Sequence, residues 1–142
     1  MTFLCGTTVL FATSDAAHQH HQPSLALVTR ATPSTAFVAA HSLAELYATL
    51  SGRFAPRMRR VDQVFEAAEH VSRSFTPVTF DLDDYLWVMR HVPGVEARSG
   101  QICDALILRC AERADVEKVY TWNTRHFKRI AWPEMAERIR TP

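Results

Sequence analysis

Four short apolar runs, Phe3-Leu4-Cys5, Thr35 to Ala40, Pro77 to Phe80 and Lys118 to Trp122, lie too far apart along this chain to pair as hairpins. Hairpin strands are joined by a few residues, whereas parallel strands need a long crossover that is usually helical. The intervening stretches carry helical signals. Thr7 to Thr13 is a short apolar segment, and Pro23 suits the first turn of a helix running to about Ala31. Ser42 starts a helix through Leu50 that stops at Ser51-Gly52. Pro56 opens another, in which Met58, Val61, Phe65 and Ala68, with Val64 and Val71 alongside, repeat at helical spacing. Asp81 caps a helix carrying Leu82, Tyr85, Leu86 and Met89, and Pro93-Gly94 marks a loop. Ile102 to Ala114 is apolar nearly all round, as a helix buried on most sides must be. Arg129 to Trp132 reads as a short fifth strand. This order predicts an α/β fold with a mainly parallel sheet of four or five strands, right-handed crossovers and helices on both faces.

Composition narrows the class. The 142 residues match the length of one domain, and no repeat or long linker divides them, so 1–142 reads as a single unit. With 47% hydrophobic and 22% charged residues, wholesale disorder is excluded. A net charge of +1 excludes a uniformly basic nucleic-acid coat and leaves room for a local patch. Cys5, Cys103 and Cys110 form no CxxC and read as buried free thiols in a reducing compartment. Phe3 to Ala12 imitates a signal-peptide core, but no Lys or Arg precedes it and it is too short to span a bilayer. The expectation is a cytoplasmic protein with no membrane contact.

In open parallel sheets the site lies beyond the carboxyl ends of the strands. That rule selects Gly6, Thr7 and Thr8 after the first strand, His41, Ser42 and Glu45 after the second, and Asn123 after the fourth, with Asp104 near the start of the buried helix. Each has a structural reading as well. Ser42-Leu43-Ala44-Glu45 fits a capping box. Asp104 suits the positive end of its helix, and Asn123 suits the cap of the turn after its strand. Convergence of all three would point instead to a hard cation, because Mg²⁺ and Mn²⁺ prefer carboxylate, amide-carbonyl and water oxygens.

Three blocks carry a resemblance: His41-Ser42-Leu43-Ala44-Glu45-Leu46-Tyr47-Ala48-Thr49-Leu50-Ser51-Gly52, then Cys103-Asp104-Ala105-Leu106-Ile107, then Tyr120-Thr121-Trp122-Asn123-Thr124-Arg125-His126-Phe127. Together, in this order and spacing, they resemble a PIN-domain protein, and more narrowly a VapC-type toxin of a bacterial toxin–antitoxin pair. The resemblance covers almost the whole chain. It implies a three-layer α/β/α sandwich and a metal-dependent endoribonuclease with a rim of acidic residues. The family's second acid falls on Glu45, its third on Asp104, and its fourth acidic or amide position on Asn123, with Thr121 beside it. These three are the implied catalytic residues, with Mg²⁺ as cofactor and Mn²⁺ as an alternative.

One departure stands out. The family's first acid follows strand one in a pattern like Asp-Thr-Asn-Val-Leu, whereas this chain reads Gly6-Thr7-Thr8-Val9-Leu10. Gly6 offers no side-chain oxygen where a metal-binding Asp is expected. Three explanations stand: a natural inactive relative, a substitution that let a toxic nuclease be produced, or replacement by Asp15. The resemblance therefore implies a toxin impaired as written, and the alternative is a non-catalytic module that binds antitoxin or RNA.

Other features are read alongside. His18, His20 and His21 form an H-x-H-H cluster whose imidazoles suit zinc, nickel or copper, but no Cys or acid follows at ligand spacing. Solvated loop residues, or contacts to RNA at the rim, are the competing readings. Arg125, His126 and Lys128, with Arg129, form a patch suited to RNA phosphates. Arg53, Arg57, Arg59 and Arg60 read as a solvated helix face, Trp87, Trp122 and Trp132 as core rather than base-stacking platforms, and Cys103 as no nucleophile. The implied partners are a small cognate antitoxin, a structured RNA such as transfer or ribosomal RNA, and a second copy in a homodimer.

Overall fold

In a computed structural model, which describes residues 1–52, 59–92 and 101–142, the strands are β1 (Phe3–Cys5), β2 (Ala36–Ala39), β3 (Thr76–Val78), β4 (Lys118–Tyr120) and β5 (Ile139–Arg140). They form one sheet in the order β3-β2-β1-β4-β5, and every pairing is parallel. The helices are α1 (Thr7–Ser14), α2 (His21–Val28), α3 (Ala40–Ser51), α4 (Val61–Ser74), α5 (Leu82–His91), α6 (Gln101–Arg113), α7 (Thr124–Ile130) and α8 (Pro133–Ala136). β1 lies at the centre, so its carboxyl end opens between the carboxyl ends of β2 and β4.

Strand side chains alternate between the two faces, and here both faces are apolar because helices cover both. Phe3 and Cys5 of β1 join Ala36 and Val38 of β2 and Tyr120 of β4 in a core with α1 to α4. Leu4, Ala39, Val119 and Ile139 point the other way, into a core with α5 to α8. α6 supplies most of that second core through Ala105, Leu106, Ile107, Leu108, Cys110 and Ala111, all buried. Its near-continuous apolar surface is what a helix wedged between the sheet and its neighbours requires. Cys5 and Cys110 are buried free thiols. Burial pushes Cys110 up to about 12 and Cys5 higher still.

Several expectations need correction. The fifth strand is not Arg129 to Trp132: residues 124–130 are helix α7, and β5 forms at Ile139–Arg140. Arg129 and Ile130 continue the turn that begins after Asn123, with Phe127 and Ile130 turned into the core. α2 ends at Val28 rather than near Ala31. α3 begins at Ala40, so Ser42 lies inside the helix and no side chain caps its start. The capping box read at Ser42–Glu45 is absent, and the buried Ser42 hydroxyl has no hydrogen-bond partner. On α4 the buried positions are Val64 and Val71, whereas Val61 and Phe65 are exposed. The face of α4 that meets the core thus runs through Val64 and Val71, one position from the stripe of Val61, Phe65 and Ala68. On α5, Leu82, Leu86 and Met89 also face outward, and Asp84 and Val88 are the buried pair. Pro56, Met58 and the Pro93-Gly94 loop lie outside the described residues.

Asp84 explains how α5 tolerates a buried carboxylate. Asp81 caps the helix by accepting from the Asp84 N–H at 3.1 Å, and Asp84 accepts in return from the Asp81 N–H at 3.0 Å. Arg109 Nε reaches Asp84 Oδ1 at 3.1 Å, and Arg113 pairs with Oδ2. Burial alone would raise the Asp84 carboxyl, but the Asp81 amide and the two guanidinium groups hold it below the usual carboxylate range. Arg109 also lies over the Trp87 ring at 4.2 Å, which ties α5 to α6.

Candidate active site

Three strand ends and one helix start build the rim. α3 begins directly after β2, which places His41 and Glu45 one helical turn apart just beyond the sheet. Asp104 sits in the first turn of α6. Thr7 and Thr8 open α1 after Gly6, and Asn123 precedes α7.

Glu45 is held on two sides. Thr7 Oγ1 donates to its Oε1 at 2.9 Å, and His41 Nε2 lies 4.0 Å from the same oxygen. Asp104 Oδ2 meets His126 Nε2 at 3.0 Å, a contact that joins α6 to α7. Burial is the main reason the Asp104 carboxyl is raised. The Glu45 charge adds to the rise, and His126 opposes it without cancelling it. The Cys103 thiol is raised in the same way, first by burial and then by both Glu45 and Asp104. Mutual influence of this kind requires close approach, since exposed charges beyond a Debye length are largely screened. The two carboxylates, far apart in sequence, are therefore near enough across the rim to influence each other. The raised Cys103 thiol carries little thiolate at neutral pH, which argues against a nucleophile there.

A hydroxyl relay fixes the segment after β4. Thr8 Oγ1 accepts from the Trp122 N–H at 3.0 Å and lies 3.1 Å from Thr121 Oγ1, which in turn accepts from the Asn123 N–H at 3.1 Å. The Asn123 side chain makes no capping hydrogen bond to α7, and the residue is exposed at the rim.

Gly6 is buried at the cap position of α1 with φ −74° and ψ 163°, a conformation open to any residue. Its N–H donates to the Tyr120 carbonyl at 2.8 Å. A Cβ at this position would meet Tyr120 O at 3.3 Å, Thr121 Cβ at 3.5 Å and Thr121 Oγ1 at 3.6 Å. A Cβ here thus requires the Tyr120 carbonyl, which also accepts from the Gly6 N–H, to give by a few tenths of an ångström. Asp15 is turned to a local task instead: its Oδ1 accepts from the Ala17 N–H at 3.1 Å.

The basic residues separate. Arg125 and Lys128 are exposed on α7, whereas His126, read in the sequence as a phosphate contact, is bound to Asp104. Sequence spacing could reveal His41 beside Glu45 but not the pairing of His126 with Asp104, which depends on how α6 and α7 pack. The histidines around the start of α2 are held by local contacts. His18 Nδ1 accepts from the His20 N–H at 3.0 Å, and His21 Nδ1 lies 2.9 Å from the Ala12 carbonyl. Among the described residues no group of three His, Cys, Asp or Glu side chains could hold a metal. The rim instead offers two carboxylates with threonine hydroxyls around them and no thiolate. The carboxylates suit a hard cation completed by water and substrate phosphate oxygens. No described helix is long and apolar enough to cross a membrane.

Residues 4–133 match the PIN domain family. Among solved structures, the chain is similar to Mycobacterium tuberculosis VapC20, a toxin that cleaves the sarcin–ricin loop. The TM-score is 0.67 at 17% identity, covering 88% of this chain and 92% of that one. It is also similar to a chain of Rickettsia felis VapBC2 bound to a DNA fragment from its promoter. That TM-score is 0.61 at 18% identity, covering 92% and 93% of the two chains. No curated protein matches at the level of sequence. At these identities the structural likeness supports the sandwich architecture.

Proposed function

Because this chain belongs to the PIN domain family, we propose that it is an endoribonuclease of the VapC toxin type whose metal site is reduced by Gly6. The observation that supports this reading is the pair of oriented carboxylates at the carboxyl edge of the sheet, Glu45 held by Thr7 and Asp104 by His126, near enough to influence each other. Asp104 and Glu45 would hold Mg²⁺, with the Asn123 amide, or a water it orients, within the same rim. When bound, the ion supplies a water of lowered pKa and compensates charge that develops on the phosphate oxygens.

The chain's own groups set the rest. Thr7 fixes the Glu45 carboxylate, and His126 fixes that of Asp104. Arg125 and Lys128, exposed on α7, neutralise backbone phosphates and orient the strand without reading its sequence. Water attacks phosphorus in line, leaving a phosphate on one product and a hydroxyl on the other. Position 6 withholds one anionic ligand, so Mg²⁺ binding is weak and cleavage slow.

The VapC20 and VapBC2 likenesses favour a structured RNA substrate and a small antitoxin as partner. Association of two copies belongs to the same reading. Gly6 also favours a second one, a non-catalytic module that keeps only antitoxin or RNA binding.

An RNA-cleavage assay with and without Mg²⁺ separates the two. Gly6→Asp should raise Mg²⁺-dependent cleavage at least about tenfold, roughly 1.4 kcal/mol of transition-state stabilisation. Asp104→Ala in that background should abolish it. Vigorous cleavage by the Gly6 protein that survives Asp104→Ala would place the chemistry elsewhere. No cleavage by either protein favours the binding module.

A further inference from the structure

Beside the acidic rim opens a cavity of about 360 Å³ lined by four rings, Phe11, His18, His20 and Trp122, and by polar side chains that include Thr7 and Asn123. The His20 ring stacks flat on Trp122, with centroids 3.8 Å apart and planes 7° from parallel. His18 meets Phe11 edge to face at 5.7 Å and lies at the same centroid distance from His20. The indole is anchored from behind, since Trp122 Nε1 donates to the buried Ser24 Oγ at 2.8 Å. Trp122 is therefore more than filling for the core: it is half-buried and forms a fixed platform that carries an imidazole on its face.

Two properties say what such a cavity takes. Its volume lies at the lower end for small-ligand sites, suited to one flat ring system with its sugar and too small for the end of a duplex. Its position is set by Thr7, which both lines the cavity and holds Glu45 at 2.9 Å. Asn123 lines it too, two residues before the exposed Arg125. A strand whose phosphate lies at the Glu45–Asp104 pocket would bring its neighbouring nucleotide to this opening. Unpaired bases are recognised by stacking on aromatic rings, histidine included, with amide groups reading their polar edges.

We propose that this cavity is a nucleobase subsite that receives one unpaired base of the RNA strand, next to the phosphate at the acidic rim, stacked on the His20–Trp122 platform. The assignment rests on the ribonuclease reading. It adds a requirement that the acidic rim alone does not impose, namely that the base beside the cleaved bond be free to leave its stack.

The test uses a short single-stranded RNA and a matched set in which each base in turn is removed. All are titrated into the full chain in EDTA, so that binding is read without cleavage. Removal of one particular base should lower affinity by about 5- to 140-fold, the range that stacking of a single base spans. Intact RNA should move the Trp122 indole N–H resonance. His20→Ala should weaken intact RNA by a similar factor and leave the sensitive abasic RNA unchanged, whereas His20→Phe, which keeps a ring, should retain the affinity. If every abasic RNA binds like the intact one and the Trp122 resonance stays still, the subsite is refuted while RNA binding stands, and the cavity is left to a protein side chain. If adenosine monophosphate binds as tightly as the RNA, the site belongs to a free nucleotide and the strand assignment falls. Failure of every RNA to bind would overturn the subsite, whereas the ribonuclease reading stands or falls on the Mg²⁺-dependent cleavage assay of Gly6→Asp.

Discussion

His126 Nε2 lies 3.0 Å from Asp104 Oδ2, yet the Asp104 carboxyl is still raised, because burial and the facing Glu45 outweigh the imidazole. The sign of the consequence follows from linkage. A carboxyl raised in the folded state binds its proton more readily there than in the unfolded chain, so stability falls as pH rises from the unfolded pKa through the folded one. Above that window Asp104→Asn should stabilise the metal-free protein by about 0.5–2 kcal/mol, the scale of single stabilising substitutions. The gain should vanish in acid. Thermal melts of the two proteins across pH check this, and a destabilised Asp104→Asn at neutral pH would mean that the carboxylates do not oppose one another. Titration by NMR gives a second readout: Gly6→Asp should move the Asp104 carboxyl further up by adding a third negative charge.

Cys103 reports on the same pocket. Its thiol is raised by burial and by the two carboxylates, whereas Cys5 and Cys110 are enclosed in the cores. Iodoacetamide should label Cys103 and spare the other two in the folded protein. A cation held by Glu45 and Asp104 would offset their charge, so Mg²⁺ should lower the Cys103 pKa and speed its labelling at mildly alkaline pH. A labelling rate indifferent to Mg²⁺ up to high millimolar concentration would count against metal binding at this rim.

The Asp84 network should govern acid stability. The folded-state carboxyl is depressed, so its contribution is complete above the unfolded pKa and is lost as pH falls through the folded one. Asp84→Asn leaves Arg109 and Arg113 without their shared carboxylate and should cost about 3 kcal/mol at neutral pH. The difference from the parent should shrink in acid. Denaturant melts at the two extremes measure it.

Ser42 offers a sharp choice between two readings. A capping serine replaced by alanine costs about 1 kcal/mol. Here the hydroxyl is buried inside α3 without a partner, and removing an unsatisfied buried group relieves its desolvation cost. Ser42→Ala should therefore be neutral or stabilising by up to about 1 kcal/mol, and a clear loss in a urea melt would restore the cap.

Much of this fold is legible in the sequence because parallel strands buried on both faces read as continuous apolar runs, and because helical crossovers are long. The rim followed from one rule, that sites gather at the carboxyl ends of such strands. What the sequence left unread depends on long-range packing. His126 looks like a surface base until α7 docks on α6. The two-residue β5 has no run to announce it, and only its pairing with β4 makes it a strand. On α4 and α5 both faces carry apolar residues, so periodicity alone could not choose between Val64 and Phe65. The Ser42–Glu45 spacing matched a cap, yet Glu45 is drawn instead to Thr7 across the rim.

The sheet acts as a partition between two separately packed compartments, and the acidic pair straddles it. Glu45 rides on α3, whose Leu46 and Leu50 belong to one compartment, and Asp104 rides on α6, whose Leu106 to Leu108 belong to the other. The gap between the carboxylates is thus a gauge of how the two helical layers are seated against a common wall. An enlarged side chain on either side, at Val38 or at Leu108, would reset that gauge from a distance without touching a polar atom. Substitutions deep in the hydrophobic interior should accordingly register as a shifted Asp104 titration at the surface.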